Sequence, residues 1–270
     1  MSFRILKKFN ESGQKKVYLI EDDKYGVIVL KHGICKSISE LERIKREIEI
    51  LQSIDSLYFP KIYNFEVRPD GTFILFEEYI KSESLRNMIA LYTNEKDAFS
   101  LILKIINAME TVWNKRIVHR DLKPENILIR LDDHEPVIID FGIARITEEG
   151  KSLTKTHLIN GPHTPGYASP EQIKNEKDLI TFKSDIYCLG IVLTELILGV
   201  NPFNPTLVGR GLCCNDNILL NQYKLETQDK SISEQAQNII KKMLAFHPYQ
   251  RYRKISILKN DIEVFLYGKN

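Results

Sequence analysis

The sequence predicts an α+β chain, an antiparallel sheet with one helix followed by a mainly helical part. Three observations carry that prediction. Residues 4–31 hold three short apolar runs separated by Ser12-Gly13 and Asp22-Asp23-Lys24, the pattern of an antiparallel meander. From residue 39 onward, apolar residues recur at helical spacing over several long stretches. The chain has 270 residues, which suits one large domain or two lobes that share an interface.

The elements follow in order. Arg4–Phe9 and Lys16–Ile20 read as the first two strands, and Tyr25–Lys31 as the third. Ser39 and Glu42 form a capping-box pair, and Leu41, Ile44, Ile48 and Leu51 mark one apolar face of the helix that follows. Asp97–Asn114 reads as a long amphipathic helix with Leu101, Ile105, Ala108, Met109 and Val112 in the core. Val137-Ile138-Ile139 is a buried-strand pattern. Ser184 opens a further helix with Asp185 as its cap. Residues 212–225 resist reading, with Pro202, Pro205, Gly209 and Gly211 making the approach irregular. Ser233–Leu244 and Ile255–Phe265 read as closing helices.

Composition narrows the function. Charged residues make up 27% and the net charge is +2, so nothing calls for a nucleic-acid or membrane partner. Met1-Ser2-Phe3-Arg4 enters a strand-like segment and lacks a signal-peptide apolar region. The longest apolar run, Ile186–Val200, is interrupted by Glu195 and is too short to span a bilayer. Cys35, Cys188, Cys213 and Cys214 have neither metal spacing nor a disulfide framework, the usage of a reduced cytoplasmic protein. No sensor domain is expected beyond the closing helix.

The chemistry concentrates in His119-Arg120-Asp121-Leu122-Lys123-Pro124-Glu125-Asn126. This short polar loop lies between the apolar runs Ile117-Val118 and Ile127-Leu128-Ile129, and its proline forbids a regular helix. Fourteen residues after Asn126, the strand at 137–139 ends in Asp140-Phe141-Gly142. An amide and a carboxylate on neighbouring strand ends are hard oxygen ligands suited to Mg²⁺ with bound phosphates. Together the two motifs resemble the catalytic loop and the Asp-Phe-Gly motif of the protein kinases, and the likeness extends from about Arg4 to Leu266.

The resemblance implies a bilobal kinase domain, with an N-lobe at 1–80 and a C-lobe at 81–270. It assigns Asp121 to the substrate hydroxyl, Lys123 to the γ-phosphate, and Asn126 and Asp140 to Mg²⁺, with Mn²⁺ as a substitute. Lys31 matches the strand-three lysine that grips the α- and β-phosphates, and Glu47 the helix glutamate that pairs with it. Gly13 belongs to the phosphate loop. Val17, Val29 and Leu128 border the adenine, and the backbone of Glu78 and Ile80 reads its edge. His119 and Phe141 pack as an apolar spine with Leu51 and Phe65. Asp185 braces the catalytic loop, and Glu171 and Arg251 form a buried ion pair.

The run Asp-Leu-Lys-Pro-Glu-Asn and the segment Thr164–Glu171 resemble the Ser/Thr form, with Thr164 bracing Asp121 and Lys123. Ser152-Leu153-Thr154-Lys155-Thr156 resembles the Thr-x-Thr of bacterial receptor-type kinases. This implies autophosphorylation at Thr154 or Thr156, with Arg120 as the cation that meets the phosphate. The expected function is therefore transfer of the ATP γ-phosphate to protein Ser/Thr hydroxyls.

Three departures weaken nucleotide binding. The phosphate loop Asn10–Val17 has one glycine, Val29 replaces the usual alanine, and Glu77 stands where an apolar gatekeeper belongs. A carboxylate there must be paired or protonated if buried. Ser84 also replaces a ribose-contacting acid. The alternatives are a pseudokinase acting as a nucleotide-sensing scaffold, and a small-molecule phosphotransferase, which usually lacks the segment at 164–171.

Overall fold

The computed structural model describes residues 3–10, 16–35, 37–141, 165–211 and 213–268, with the backbone alone at 10, 38–40, 43, 46 and 47. The first lobe is built on five antiparallel strands: β1 (Phe3–Asn10), β2 (Lys16–Asp22), β3 (Gly26–Ile34), β4 (Ile62–Val67) and β5 (Thr72–Glu78). Their spatial order is β1-β2-β3-β5-β4, so the last hairpin inserts β5 beside β3. That hairpin turns at Arg68-Pro69-Asp70-Gly71. The Thr72 amide donates to Asp70 Oδ1 at 2.9 Å, and Gly71 takes a positive φ of 81° that suits a residue without Cβ.

Alternation along the strands gives the sheet two apolar faces. Ile20, Ile28, Leu30, Ile74 and Phe76 cluster on one. Phe73 and Leu75 cluster on the other with Ile44 and Ile48 of α1 (Ile38–Gln52). Lys31 lies opposite Leu75 and Val29 opposite Glu77, so the lysine and the glutamate share the face that meets α1.

Gly33 lies opposite Phe73, and a Cβ there would stand 2.4 Å from the ring's Cζ. The ring cannot retreat, because it is 3% exposed and packs against Phe65. Gly33→Ala is therefore expected to destabilise the first lobe by about 1–3 kcal/mol. A thermal melt reads this; an unchanged melting temperature would show that the sheet relaxes freely.

The α1 expectation needs correcting at its start. The helix begins at Ile38, and the Leu41 amide donates to the Ser37 carbonyl at 3.1 Å. Ser39 therefore lies inside the first turn, and Ser37 precedes it.

After Glu78 the chain leaves the sheet and enters the second lobe. A three-stranded sheet, β6 (Ser82–Ser84), β7 (Ile127–Arg130) and β8 (Pro136–Ile138), frames the loops around residues 120 and 140. Helices follow: α2 (Leu85–Met88), α3 (Glu95–Trp113), α4 (Pro170–Ile173), α5 (Phe182–Leu198), α6 (Pro205–Val208), α7 (Cys214–Leu219), α8 (Glu234–Met243) and α9 (Ile255–Tyr267). One large core joins α3, α5, α8 and α9 to β7 and β8.

α3 starts two residues earlier than Asp97, because Asn94 caps it by accepting from the Lys96 amide. α5 is apolar enough to be buried all round, from Ser184 to Leu198. Its cap is Thr181, in a capping box with Ser184, so Asp185 is not the cap and turns its carboxylate to other work. Among the described residues, no helix is long and apolar enough to cross a membrane.

Candidate active site

The cleft between the two lobes gathers its polar groups from four separate segments. β3 contributes Lys31 and β5 contributes Glu77. The turn between Lys123 and β7 contributes Asn126, and the residue pair after β8 contributes Asp140. Lys31 is 6% exposed and, among the described residues, pairs with Glu77 and with Asp140 Oδ1, the latter at 2.6 Å. Burial works against the lysine's charge, but Asp140 and Glu77 outweigh it and hold the ammonium well above its ordinary range. Glu77 is thus a paired carboxylate. The side chain of Glu47 lies outside the described residues, so the expected Glu47–Lys31 pair does too.

The catalytic-loop stretch closes on itself around Asp121. Asn126 Nδ2 donates to the Asp121 carbonyl at 2.8 Å and to its Oδ2 at 3.0 Å. Lys123 Nζ lies 3.3 Å from the same Oδ2. The Ile139 amide donates to the Asn126 carbonyl at 3.0 Å, which ties this loop to the segment carrying Asp140. Both donated bonds of the Asn126 amide run to Asp121. Among the described residues, no three His, Cys, Asp or Glu side chains cluster to hold a metal. A divalent cation held by the oxygens of Asn126 and Asp140 would therefore take further oxygens from phosphates and water.

Two residues of the site lie in the left-handed backbone region, Arg120 at φ 67° and Asp140 at φ 60°. Such strain persists only where the surroundings over-determine it. For Arg120 the surroundings are visible. Its amide donates to Asp185 Oδ1 at 2.9 Å, and its carbonyl accepts from Gln172 Nε2 at 2.8 Å. Asp185, fully buried, also accepts from the His119 amide and from Trp113 Nε1, both at 2.8 Å. Burial raises its pKa, with His119 and the three donors pulling the other way.

His119 is buried, and its pKa is lowered by that burial. A neutral ring fits both of its bonds, Nε2 donating to the Ile139 carbonyl at 3.0 Å and Nδ1 accepting from the Asp121 amide at 3.3 Å. The ring packs on Phe141 at 4.8 Å between centroids, and Phe141 packs on Phe59 at 5.3 Å. Leu51 borders the cavity beside Phe141. Phe65 pairs with Phe73 on the α1 face of the sheet, packing with Leu51 against the same cluster, and Phe59 lies against Phe141.

The remaining expected residues fall as follows. Val17 on β2, Val29 on β3 and Leu128 on β7 are half-buried, the first opposite Lys31 and the second opposite Glu77. The Glu78 amide donates to the Lys61 carbonyl at 2.8 Å. Ile80 is buried, and its carbonyl accepts from Ser82 Oγ at 3.0 Å. Ser84 caps α2 and donates its Oγ to the Pro124 carbonyl at 3.2 Å, so its hydroxyl joins the linker to the catalytic loop. Gly13, Thr154, Thr156 and Thr164 lie outside the described residues.

Glu171 meets Arg251 in a two-pronged pair at 2.7 and 2.9 Å. Burial pushes the Glu171 pKa up, but Arg251 and Ser184 more than reverse this, and the carboxyl is held below its ordinary range.

Sequence reading missed Arg86. From α2 its guanidinium reaches Glu125 at 2.8 Å, Glu195 of α5 at 2.8 Å, and the hydroxyl of Tyr167. Tyr167 in turn donates to Glu195. This cluster clamps the catalytic loop to the chain following residue 165. An exposed-looking arginine in a helical turn gives no local signal of it.

Comparisons with known proteins agree with this geometry. The protein kinase domain family matches residues 12–261. The chain is 31% identical to the serine/threonine-protein kinase PrkC of Bacillus subtilis, over 97% of this chain and 40% of that protein. It is 26% identical to serine/threonine-protein kinase Pkn1 of Myxococcus xanthus, over 98% of this chain and 38% of that protein. With an Aurora kinase of Candida glabrata it shares 30% identity, over 92% of this chain and 67% of that protein. The chain thus spans about two fifths of the length of these bacterial relatives.

Proposed function

The chain belongs to the protein kinase domain family, and from that premise we propose that it transfers the γ-phosphate of ATP to Ser and Thr hydroxyls of proteins. The observation that carries the proposal is the convergence at the cleft. Lys31 is bonded to Asp140, and Asp140 is tied through Ile139 to Asn126 and so to Asp121. Each group then has a task this geometry permits. Lys31 meets the α- and β-phosphates, Lys123 the γ-phosphate, and Asp121 orients the acceptor hydroxyl. A divalent ion, Mg²⁺ in this reading, neutralises phosphate charge when bound beside Asn126 and Asp140. Phosphoryl transfer has a loose, charge-spread transition state, so fixed cations and positioning supply most of the acceleration.

The protein-substrate reading is supported by the Thr164–Glu171 run. In the described part of that run, Ser169 and Glu171 are built into the fold at the start of α4. We place the lobe boundary at residue 80, between β5 and β6. A cytoplasmic site of action, where ATP is supplied and thiols stay reduced, accords with four free cysteines. Incubation with γ-labelled ATP, Mg²⁺ and mixed acceptor proteins should place label on Ser and Thr. Label on free sugars or aminoglycosides, or on tyrosine alone, would overturn the substrate class.

Autophosphorylation at Thr154 or Thr156 is part of the same proposal, with Arg120 as the receiving cation. Mass spectrometry of the chain after incubation with ATP should find phosphate on one of these two residues. A fully active enzyme with both threonines unmodified would remove this form of control.

A further inference from the structure

We propose that Glu77, and not a helix carboxylate alone, positions Lys31, so that the lysine is held by the sheet whatever the placement of α1. This deepens the kinase reading above and rests on it. Two features of the fold support it. Lys31 and Glu77 stand on hydrogen-bonded neighbours, β3 and β5, with Lys31 opposite Leu75 and Val29 opposite Glu77. The two side chains are thus diagonal neighbours on one face, a separation that long side chains bridge. Both are also withdrawn from water, at 8% and 12% exposure, where an ion pair with a fixed partner orients its charge and an unpaired one is costly.

The second partner, Asp140, is different in kind. It reaches the same Nζ at 2.6 Å, but it stands on an irregular segment and at 30% exposure. Its carboxylate is also the one proposed to meet a divalent ion. Once Asp140 is engaged there, Glu77 is the one of its two described partners that stays with Lys31. A glutamate at the back of a nucleotide pocket would ordinarily count against function. Here it supplies what the lysine needs.

Two carboxylates among the described residues bear on the lysine, Glu77 from β5 and Asp140 from the segment after β8, and Glu47 of α1, its expected partner by resemblance, must be tested with them. The first readout needs neither nucleotide nor activity. Modification of Lys31 by an amine-reactive reagent is followed against pH, peptide by peptide, in nucleotide-free protein. Glu77 favours the charged lysine, so Glu77→Gln should move the onset of reactivity to lower pH by roughly one to three units. Glu77→Asp should restore part of the shift, and Glu47→Gln should move it less than Glu77→Gln does.

The second readout is kinetic. Glu77→Gln should lower kcat/KM for ATP by about ten- to a hundredfold at an unchanged melting temperature, again with partial rescue by Glu77→Asp. The proposal is overturned if Glu47→Gln shifts the Lys31 profile as far as Glu77→Gln, or if Glu77→Gln raises activity, which would make the pair an inhibitory one. Absence of phosphate transfer by the wild-type chain would instead strike the kinase reading, and the reactivity profile would still decide the role of Glu77.

Discussion

Replacing Asp121 by asparagine is expected to lower kcat by about 10²–10⁴-fold, the range for removing a positioned acid–base group. The structure explains why the loss should fall on the chemical step. Asp121 Oδ2 is held by Asn126 Nδ2 at 3.0 Å and faces Lys123 Nζ at 3.3 Å. An asparagine fills the same volume and can accept from Asn126 through its oxygen, so the loop keeps its shape. It carries no negative charge to accept or orient the hydroxyl proton, and it leaves Lys123 without that partner. The KM for ATP should change little, because the interaction removed is one made at the transferring group and its acceptor. Steady-state kinetics beside a thermal melt distinguish this from misfolding. A variant within a few-fold of wild-type kcat would remove Asp121 from the chemistry.

Arg251→Ala should be the most damaging single truncation for stability, at about 3–5 kcal/mol. Arg251 is 2% exposed. Besides Glu171, it donates to the carbonyls of Ala245, Phe246 and Lys183 at 2.8, 2.9 and 3.0 Å, and its guanidinium lies over the Tyr187 ring. Removing it strands a buried carboxylate and three carbonyls. A charge-free replacement of both partners, Glu171→Leu with Arg251→Met, should recover part of the loss, because no buried charge is then left alone.

The pH dependence has a definite sign. Glu171 is held below its ordinary range in the folded chain, so the pair contributes fully above the unfolded carboxylate pKa. That contribution is lost as pH falls through the depressed folded value. The gap in stability between wild type and Arg251→Ala should therefore narrow under acid. Denaturant unfolding at several pH values checks it; a gap that widens toward low pH would contradict the assignment.

The catalytic stretch was legible because its chemistry is local. Asp121, Lys123 and Asn126 lie within six residues and Asp140 at the end of the next strand pair, so their order and spacing carry the resemblance to the kinase motifs. α5 was legible for the opposite reason, a long apolar run, interrupted by Glu195, that suits a buried helix. The partner of Lys31 was not. The Glu77 contact depends on β5 inserting beside β3 more than forty residues away in sequence, and no local pattern encodes that register. β4 and β5 were passed over although Pro69-Asp70-Gly71 is a turn signal between two apolar runs.

The stretch around α7 stayed opaque because polar residues do its packing. Asn215 accepts from the Gly166 amide at 2.9 Å, and Asn217 donates to the carbonyls of Phe203 and Arg210 at 3.0 and 2.8 Å. Hydrophobic periodicity is silent about such anchors.

The cavity behind Lys31 has a volume of about 40 Å³ and is walled by Leu51, Phe59, Phe73, Leu75 and Phe141, with Glu77 and Asp140 at its polar side. A synthetic inhibitor extending a hydrocarbon arm into it must strip a buried ion pair of its partner on the way. An arm ending in an amine or amidine could replace the lysine's contact instead. Selectivity among compounds for this chain should accordingly follow the basicity of that arm more than its bulk.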